Sequence, residues 1–274
     1  MTELAIEVKD LEFAWPSKAA FLRVPTLSLQ QGQTLFVGGR SGSGKTTLLS
    51  LLTGVHSVQK GVCKVLGYNL TEMSASQRDL FRGRNLGLVF QQFNLIPYLT
   101  VQENIELPTQ IFASRAQHAI DRHGSVTAQV HSLCDSLHLS RQLMARPAHQ
   151  LSVGEQQRVA SARALMGSPA LIIADEPTSA LDVSVQTRFL DLLQDLQGKL
   201  HFACLFISHD LAVVDILAHR IAVMQDGLLV EVGDRDQILK HPKNDYTRRL
   251  ISAVPVPDPK EQKIRREARL ALKK

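Results

Sequence analysis

The stretch that decides the fold is "TLFVGGRSGSGKTTLLSLLTG", from Thr34 to Gly54. It begins with an apolar run typical of a buried strand, continues through a loop of glycine and serine, and ends in helix-forming residues. The loop fits the pattern G-x-x-x-x-G-K-S/T, with its fixed positions at Gly39, Gly44, Lys45 and Thr46. A strand, a glycine-rich loop and a helix in this order predict a site for phosphate groups.

Each part of this loop has a chemical reason. Glycines let the backbone fold tightly around phosphate oxygens, and the following helix presents its positive end to the same anion. Lys45 would neutralise the β and γ phosphates, while the Thr46 hydroxyl would bind Mg²⁺. The sequence therefore predicts an α/β fold of the P-loop NTPase class that binds ATP and Mg²⁺. The loop positions expected to contact ATP are Gly39, Arg40, Ser41, Gly42, Ser43, Gly44, Lys45, Thr46 and Thr47.

A second chemical signal is the acidic end of a predicted strand in "SPALIIADEPTSALD". The buried-strand pattern ends in Asp175 and Glu176, and Pro177 stops the strand. Ligands of parallel α/β sheets lie at the carboxyl ends of strands, which is where these acids fall. We expect Asp175 to join the Mg²⁺ site. Glu176, on the other side of the pleat, would hold the attacking water as general base.

A third strand pattern, "HFACLFISHDLAVV", ends at His209 and again passes into a predicted helix. Its position at a strand's carboxyl end matches that of Asp175. We therefore predict that His209 reaches the γ-phosphate or the attacking water. The predicted catalytic residues are Lys45, Glu176 and His209.

Composition and charge limit the other functions. The chain has 44% hydrophobic and 21% charged residues, and its net charge of +5 is concentrated at the end, where Asp258 to Lys274 holds seven Lys or Arg against three Asp or Glu. This distribution argues against a nucleic-acid partner, which would need a basic stripe with stacking aromatics. No apolar run approaches the ~18 residues of a membrane span, and no secretory leader is expected. Cys63, Cys134 and Cys204 are predicted to be buried in a reducing cytoplasm.

Together these pieces resemble the nucleotide-binding subunits of ABC transporters, from Ile6 to about Pro255. "LSVGE", Leu151 to Glu155, stands where that family has its signature LSGGQ. The resemblance implies ATP hydrolysis in a head-to-tail dimer, in which the signature of one subunit closes on the ATP of the other. Its residues here are Ser152, Val153, Gly154 and Glu155. Val153 and Glu155 replace the usual Gly and Gln, which narrows the backbone conformations and adds negative charge near the triphosphate.

Further roles are implied by the resemblance at single positions. Gln91 matches the glutamine that senses Mg²⁺ and the γ-phosphate, so the implied metal site comprises Thr46, Gln91 and Asp175. Trp15 stands where the family has an aromatic residue stacked on adenine. Asp182, in "SALD", matches a loop that touches the opposite subunit.

The resemblance also implies how the chain is organised. An ABC ATPase domain would cover residues 1–240, with its core at about 1–90 and 163–240 and an antiparallel β subdomain near the start. A helical subdomain would be inserted at about 91–162, and a C-terminal extension with a basic tail would occupy 241–274. The histidines of the insertion are irregularly spaced, and we interpret them as helix-surface residues rather than metal ligands: His118, His123, His131, His138 and His149.

The type of transporter is the point on which the sequence divides. The first two-thirds looks most like the lipoprotein-release and macrolide-export type, whereas "HPKNDYTRRLISAVPVPDP" near the end resembles oligopeptide and dipeptide importer ATPases. Partner choice should follow the helical insertion, so we expect a lipoprotein-release or macrolide-export permease, with a peptide importer as the alternative. A soluble ATPase of iron-sulfur cluster assembly is a second, less favoured alternative. The implied partners are transmembrane permease subunits and a second ATPase subunit, identical or related, at the cytoplasmic face of the membrane.

Overall fold

The computed structural model of the chain describes residues 3–16, 21–210 and 214–253, so the basic tail lies outside the described residues. In these ranges the strands form one sheet, in the order β5-β4-β1-β2-β10-β9-β3-β8-β7-β6. The strands are β1 (Leu4–Ala14), β2 (Phe21–Gln30), β3 (Thr34–Gly38), β4 (Lys60–Val65), β5 (Tyr68–Asn69), β6 (Leu86–Phe90), β7 (Leu171–Asp175), β8 (Ala203–Ile207), β9 (Arg220–Gln225) and β10 (Leu228–Asp234). The helices are α1 (Lys45–Leu52), α2 (Ala75–Asn85), α3 (Val101–Ile111), α4 (Ala113–His123), α5 (Val126–Ser136), α6 (Val153–Leu165), α7 (Val183–Leu200), α8 (Val214–Leu217), α9 (Arg235–Lys240) and α10 (Asp245–Ser252).

The parallel half of the sheet creates the edge at which the predicted site lies. β3, β6, β7, β8 and β9 pair in parallel, and their registers bring the last residues of neighbouring strands level: Val37 lies opposite Ile207, and Asp175 lies opposite both Ile207 and Phe90. Every residue of β3 and β8 is buried, as expected for strands covered on both faces. The loops that follow these strands therefore open at one edge.

The other half of the sheet is antiparallel. β1 pairs with β2 and β4, and β4 pairs with β5. A single parallel pairing between β10 and β2, at Leu228 and Arg23, joins this half to the rest. The expected α/β fold with an antiparallel β layer is confirmed, and this layer continues the same sheet rather than forming a separate one.

Between β6 and β7 the chain is helical, as the strand-poor sequence indicates. α3 and α6 begin with capping boxes, in which a Thr or Ser side chain and a Glu three residues later bond each other's backbone N–H groups. Gly124 caps the end of α4, and its φ of 82° lies in the left-handed region that favours glycine. The expected subdomain boundary near residue 162 falls inside α6, and that boundary stays a prediction.

A buried arginine fastens this helical segment to the sheet. The Arg115 guanidinium on α4 donates to the carbonyls of Gly83 at 2.7 Å and Met166 at 2.6 Å, and also to that of Leu86. Burial lowers the pKa of Arg115 to about 10. Because three carbonyls surround the charge, its removal would leave several buried acceptors without a donor.

Three sequence expectations concern the chain as a whole. The cysteines Cys63, Cys134 and Cys204 are buried free thiols, as predicted. Across the described ranges no group of His, Cys, Asp and Glu side chains is arranged to hold a metal ion, so the insertion's histidines form no such cluster there. In the same part of the chain no helix combines the length and the apolar character that a membrane span requires.

Candidate nucleotide-binding site

The phosphate loop is shaped by three glycines. Gly39, Gly42 and Gly44 have φ angles of 155°, 80° and 101°, a region that residues with a side chain rarely adopt. A Cβ on Gly39 would lie 2.4 Å from the Met224 carbonyl oxygen on β9, so only glycine fits there. Gly44 precedes α1 and provides no side-chain cap, which leaves the helix's first N–H groups to another acceptor.

Two buried polar groups in this loop fit a phosphate ligand. The Lys45 amine donates to the carbonyls of Gly39 at 2.8 Å and Arg40 at 3.1 Å. Burial lowers the pKa of Lys45, while the charges of Glu176 and Asp175 act in the opposite direction. Among the residues that the structure describes, the buried Ser43 hydroxyl oxygen has no hydrogen-bond partner. An anion bound in the loop would accept a hydrogen bond from the Ser43 hydroxyl and balance the charge of Lys45. The loop is therefore suited to the phosphates of ATP.

The acidic residues lie at the same edge as the loop. Asp175 ends β7, and its pKa is raised by burial and by the neighbouring charge of Glu176, against the opposing effect of Lys45. Glu176 has already left the strand, with a φ of 47°, and its N–H donates to the Ile207 carbonyl at 2.8 Å. A left-handed turn, not the strand pleat assumed from the sequence, therefore sets the direction of Glu176 relative to Asp175.

His209 follows β8 and lies beside Glu176. Its Nδ1 is 3.2 Å from the Glu176 Oε2, so the two predicted catalytic side chains form a pair. Gln91 follows β6 directly, and its neighbour Phe90 lies opposite Asp175, which places Gln91 at the same edge. The structure thus brings Lys45, Asp175, Glu176 and His209 together, and the roles of all of them stay predictions.

Trp15 lies at the opposite side of the loop. Its ring contacts Phe13 and His56 edge-on, with centroids 5.1 Å and 4.7 Å away. A cavity of about 250 Å³ opens between Trp15 and the loop. It is lined by Phe13, Trp15, Leu22, Gly42, Gly44, Thr47, Asp226 and Gly227. The cavity fits the adenine position implied for Trp15, because it joins an aromatic wall to the phosphate loop.

The predicted signature forms a complete capping box at the start of α6. The Glu155 Oε2 accepts from the Ser152 N–H at 2.8 Å and from the Ser152 hydroxyl at 2.7 Å, and the Ser152 oxygen caps the Glu155 N–H. The hydrogen bond from the Ser152 hydroxyl is the main reason that the pKa of Glu155 is lowered, followed by the bond from the Ser152 N–H. The charges of Arg158 and Arg146 act in the same direction. Val153 is 47% exposed. The sequence interpretation gave Ser152 and Glu155 only the role implied by the signature and did not identify the Ser-x-x-Glu spacing as a capping box.

Asp182 also has a local task. Its carboxylate accepts from the Val185 N–H at 3.0 Å and from the Ser184 hydroxyl at 2.7 Å, which caps α7. The Val185 hydrogen bond is the main reason that the pKa of Asp182 is lowered. Its contact with an opposite subunit stays a prediction.

Comparison with known proteins decides the family. Residues 22–179 match the profile described as "ABC transporter". The chain belongs to the ABC transporter family. Residues 230–273 also match a profile described as "Oligopeptide/dipeptide transporter, C-terminal region".

Relatives of known name agree with this assignment. The oligopeptide transport ATP-binding protein OppD of Mycobacterium tuberculosis is 40% identical over 238 residues, which cover 85% of this chain and only 37% of OppD. OppF of Escherichia coli is 38% identical over 262 residues, or 94% of this chain and 77% of OppF. These names fit the importer alternative better than the lipoprotein-release or macrolide-export type expected from the first two-thirds of the sequence.

A solved structure agrees as well. The dimeric bacterial ABC transporter cassette MJ0796 matches with a TM-score of 0.71 and 27% identity, over 84% of this chain and 98% of the cassette. A post-hydrolysis form of that cassette, bound to ADP and Pi, matches with a TM-score of 0.69. The chain is accordingly an ATP-binding, ATP-hydrolysing cassette with the ABC-type P-loop fold.

Proposed function

We propose that this ABC ATPase energises the import of oligopeptides or dipeptides through a transmembrane permease. The observation that carries the proposal is the match of residues 230–273 to the C-terminal region of that transporter class. OppD and OppF among the relatives support it. The import direction and the peptide cargo both rest on this likeness.

The proposed nucleotide contacts follow the site's layout. Backbone N–H groups of the loop, the Lys45 amine and the Ser43 hydroxyl hold the phosphates, while Trp15 packs on adenine. Thr46, Gln91 and Asp175 would hold Mg²⁺, and the donor set of one hydroxyl, one amide and one carboxylate suits that ion. When bound, Mg²⁺ spreads the negative charge that develops on the phosphates during transfer.

Hydrolysis is assigned to the residues that surround this edge. The Glu176 carboxylate orients a water molecule towards the γ-phosphate and accepts its proton. His209 lies 3.2 Å from Glu176 and holds that carboxylate in place. It also reaches the γ-phosphate or the attacking water. The positively charged Lys45 amine contacts the transferred phosphoryl group and stabilises the negative charge that develops there. A fixed cation is most effective in such a partly buried site.

The second half of each site comes from another chain. Ser152, Val153, Gly154 and Glu155 of one subunit contact the nucleotide of its partner, and Asp182 lies near the facing surface. The Ser152 hydroxyl has to leave Glu155 to donate to a phosphate, since it has only one proton. Two copies of this chain, or one copy and a related subunit, both satisfy this arrangement.

A groove next to Gln91 supports a permease contact. It has a volume of about 470 Å³ and lies between α2, β6, α3 and the end of α6. Ile111, which is 62% exposed, Arg82 and Arg163 are among the residues that line it. A permease helix bound here would place the chain at the cytoplasmic face of the membrane. In this proposal residues 1–240 form the ATPase domain, 91–162 its permease-contacting helical part, and 241–274 the extension.

The proposal is tested by measuring ATP turnover in lipid vesicles with two permeases. We expect a peptide-importer permease, with its peptide-loaded binding protein, to copurify with the chain and stimulate turnover severalfold. A lipoprotein-release permease should do neither. Stimulation by the second permease alone would overturn the peptide assignment, and exchanging residues 92–150 for those of a lipoprotein-release ATPase would show whether that segment selects the partner.

A further inference from the structure

The last described helix contacts the phosphate loop directly. The Tyr246 hydroxyl, in the first turn of α10, accepts a hydrogen bond of 3.1 Å from the backbone N–H of Arg40. Arg40 is the second residue of the loop, and 206 positions separate the two residues in sequence. The segment that matches the peptide-transporter C-terminal region therefore reaches the nucleotide site through a specific contact.

The start of α10 is itself held firmly. The buried Glu231 carboxylate on β10 accepts from the N–H groups of Lys243 at 2.7 Å and Asn244 at 3.1 Å. Burial alone would raise the pKa of Glu231, but the adjacent Thr247 hydroxyl and those two N–H groups outweigh it and hold the pKa low. The Asn244 side chain then caps the Tyr246 N–H at 2.8 Å. Tyr246 is thus presented from a fixed turn.

The loop depends on outside contacts because its glycines have little conformational preference of their own. Lys45 now holds the carbonyls of Gly39 and Arg40. If Lys45 turns to phosphate, as the proposed function requires, those contacts are lost. The Arg40 peptide is then held by Tyr246 at its N–H and by the Ser43 N–H, 3.1 Å away, at its carbonyl.

On this outer side of the loop, the Ser43 carbonyl also accepts a hydrogen bond of 3.0 Å from the Gly227 N–H of the β9–β10 turn. Beside these contacts, a cavity of about 310 Å³ opens between the loop, α10 and the β9–β10 turn. The lining residues are Arg40, Ser41, Ser43, Gln225, Asp226 and Tyr246. Without the Tyr246 hydroxyl, the Arg40 peptide could move into this space.

The geometry points to Tyr246 as a positioning residue that keeps the phosphate loop ready for nucleotide, so that the C-terminal segment sets the affinity for ATP. This inference rests on the proposed nucleotide role of the loop. Tyr246 touches no reacting atom in this assignment. It lowers the cost of ordering the loop, which affects binding rather than the chemical step.

The test is Tyr246→Phe in the full chain, with Tyr68→Phe as the matched control, because Tyr68 lies on β5, away from the loop. We would measure the Kd of a fluorescent ADP analogue with Mg²⁺, together with KM and kcat for ATP. Loss of one partly exposed hydrogen bond should weaken binding and raise KM about threefold. The value of kcat should stay constant. An unchanged Kd would overturn the inference.

Amide hydrogen exchange separates positioning from general loosening. In Tyr246→Phe the Arg40 N–H should exchange faster than in the native chain, while the amides of α10 keep their rates. Unchanged exchange at Arg40, or faster exchange throughout α10, would contradict the assignment. If the native chain failed to bind the ADP analogue, the proposed function would fail, whereas the exchange at Arg40 would still report on the contact.

Discussion

The phosphate loop and the start of α6 both present small residues and backbone N–H groups at a helix N-terminus, yet they differ in how their polar groups are satisfied. In the loop, Gly44 offers no side-chain cap, and the buried Lys45 amine donates to carbonyls of the loop itself. Within the described part of the chain the Ser43 hydroxyl has no hydrogen-bond partner. At α6, Ser152 and Glu155 satisfy one another through a full capping box.

The difference separates a site built for its ligand from a turn that is stable without one. Unmet buried groups cost free energy, so the loop gains most when an anion binds. The start of α6 gains less, since a phosphate must compete with the Glu155 carboxylate for the Ser152 proton. If two chains share each ATP, the loop of one chain supplies most of the affinity for ATP. The start of α6 of the other chain then closes the dimer over the bound nucleotide.

The largest expected effect comes from removing the loop's cation. Lys45→Met keeps the length of the side chain but not its charge, and we expect ATP turnover to fall about 1000-fold, the upper range for losing one fixed charge or donor at a reacting group. Because burial lowers the pKa of Lys45, the folded chain should not lose stability. Turnover assays test the first point and thermal unfolding tests the second. A clear drop in Tm would show that burying the Lys45 charge does not destabilise the folded chain.

Next in size is the loss of the proposed base. Glu176→Gln preserves shape and a hydrogen bond towards His209, so nucleotide affinity should stay within about threefold while kcat falls about 100-fold. Glu103→Gln, which alters a capping carboxylate on α3, is the control. Single-turnover kinetics measure the chemical step. Normal kcat in Glu176→Gln would remove this carboxylate from the role.

Two serines test how much a capping box contributes to stability. Both Ser152 and Ser74 begin capping boxes, with Glu155 on α6 and with Gln77 on α2 respectively. Loss of either cap should cost about 1 kcal/mol of unfolding free energy, or about 2 to 4 °C in Tm. Calorimetry on Ser152→Ala and Ser74→Ala checks this equality. A Tm change confined to one variant would show that the two boxes are not equivalent.

The smallest expected effect is a pH dependence of the α6 cap. The pKa of Glu155 lies below its ordinary value of 4.5. Its charged form therefore stabilises the fold above that pH, and this contribution disappears as pH falls through the lowered pKa. Relative to Glu155→Gln, whose amide does not titrate, the native chain should lose unfolding free energy in acid. The unfolding free energies of the two proteins, measured by denaturant from pH 7 to pH 3, would contradict this if their difference stayed constant.

Much of the parallel half of the site was readable from local patterns. The loop around Lys45 and the strand end at Asp175 carry their chemistry in contiguous residues, and parallel pairing then brings them together. The turn at Glu176 was not predicted, because its φ of 47° follows from the hydrogen bond to β8. The contact between Tyr246 and Arg40 had no sequence signal, since it depends on how the buried Glu231 holds the start of α10.

The most direct test of the shared-site account is steady-state ATP hydrolysis by the purified chain, measured against protein concentration for the native form, Ser152→Ala and Ser74→Ala. The account predicts that the rate per chain rises with concentration, collapses in Ser152→Ala and survives in Ser74→Ala, because the first serine serves a neighbour's nucleotide and the second serves only its own helix. A rate independent of concentration and equal in both variants would contradict it.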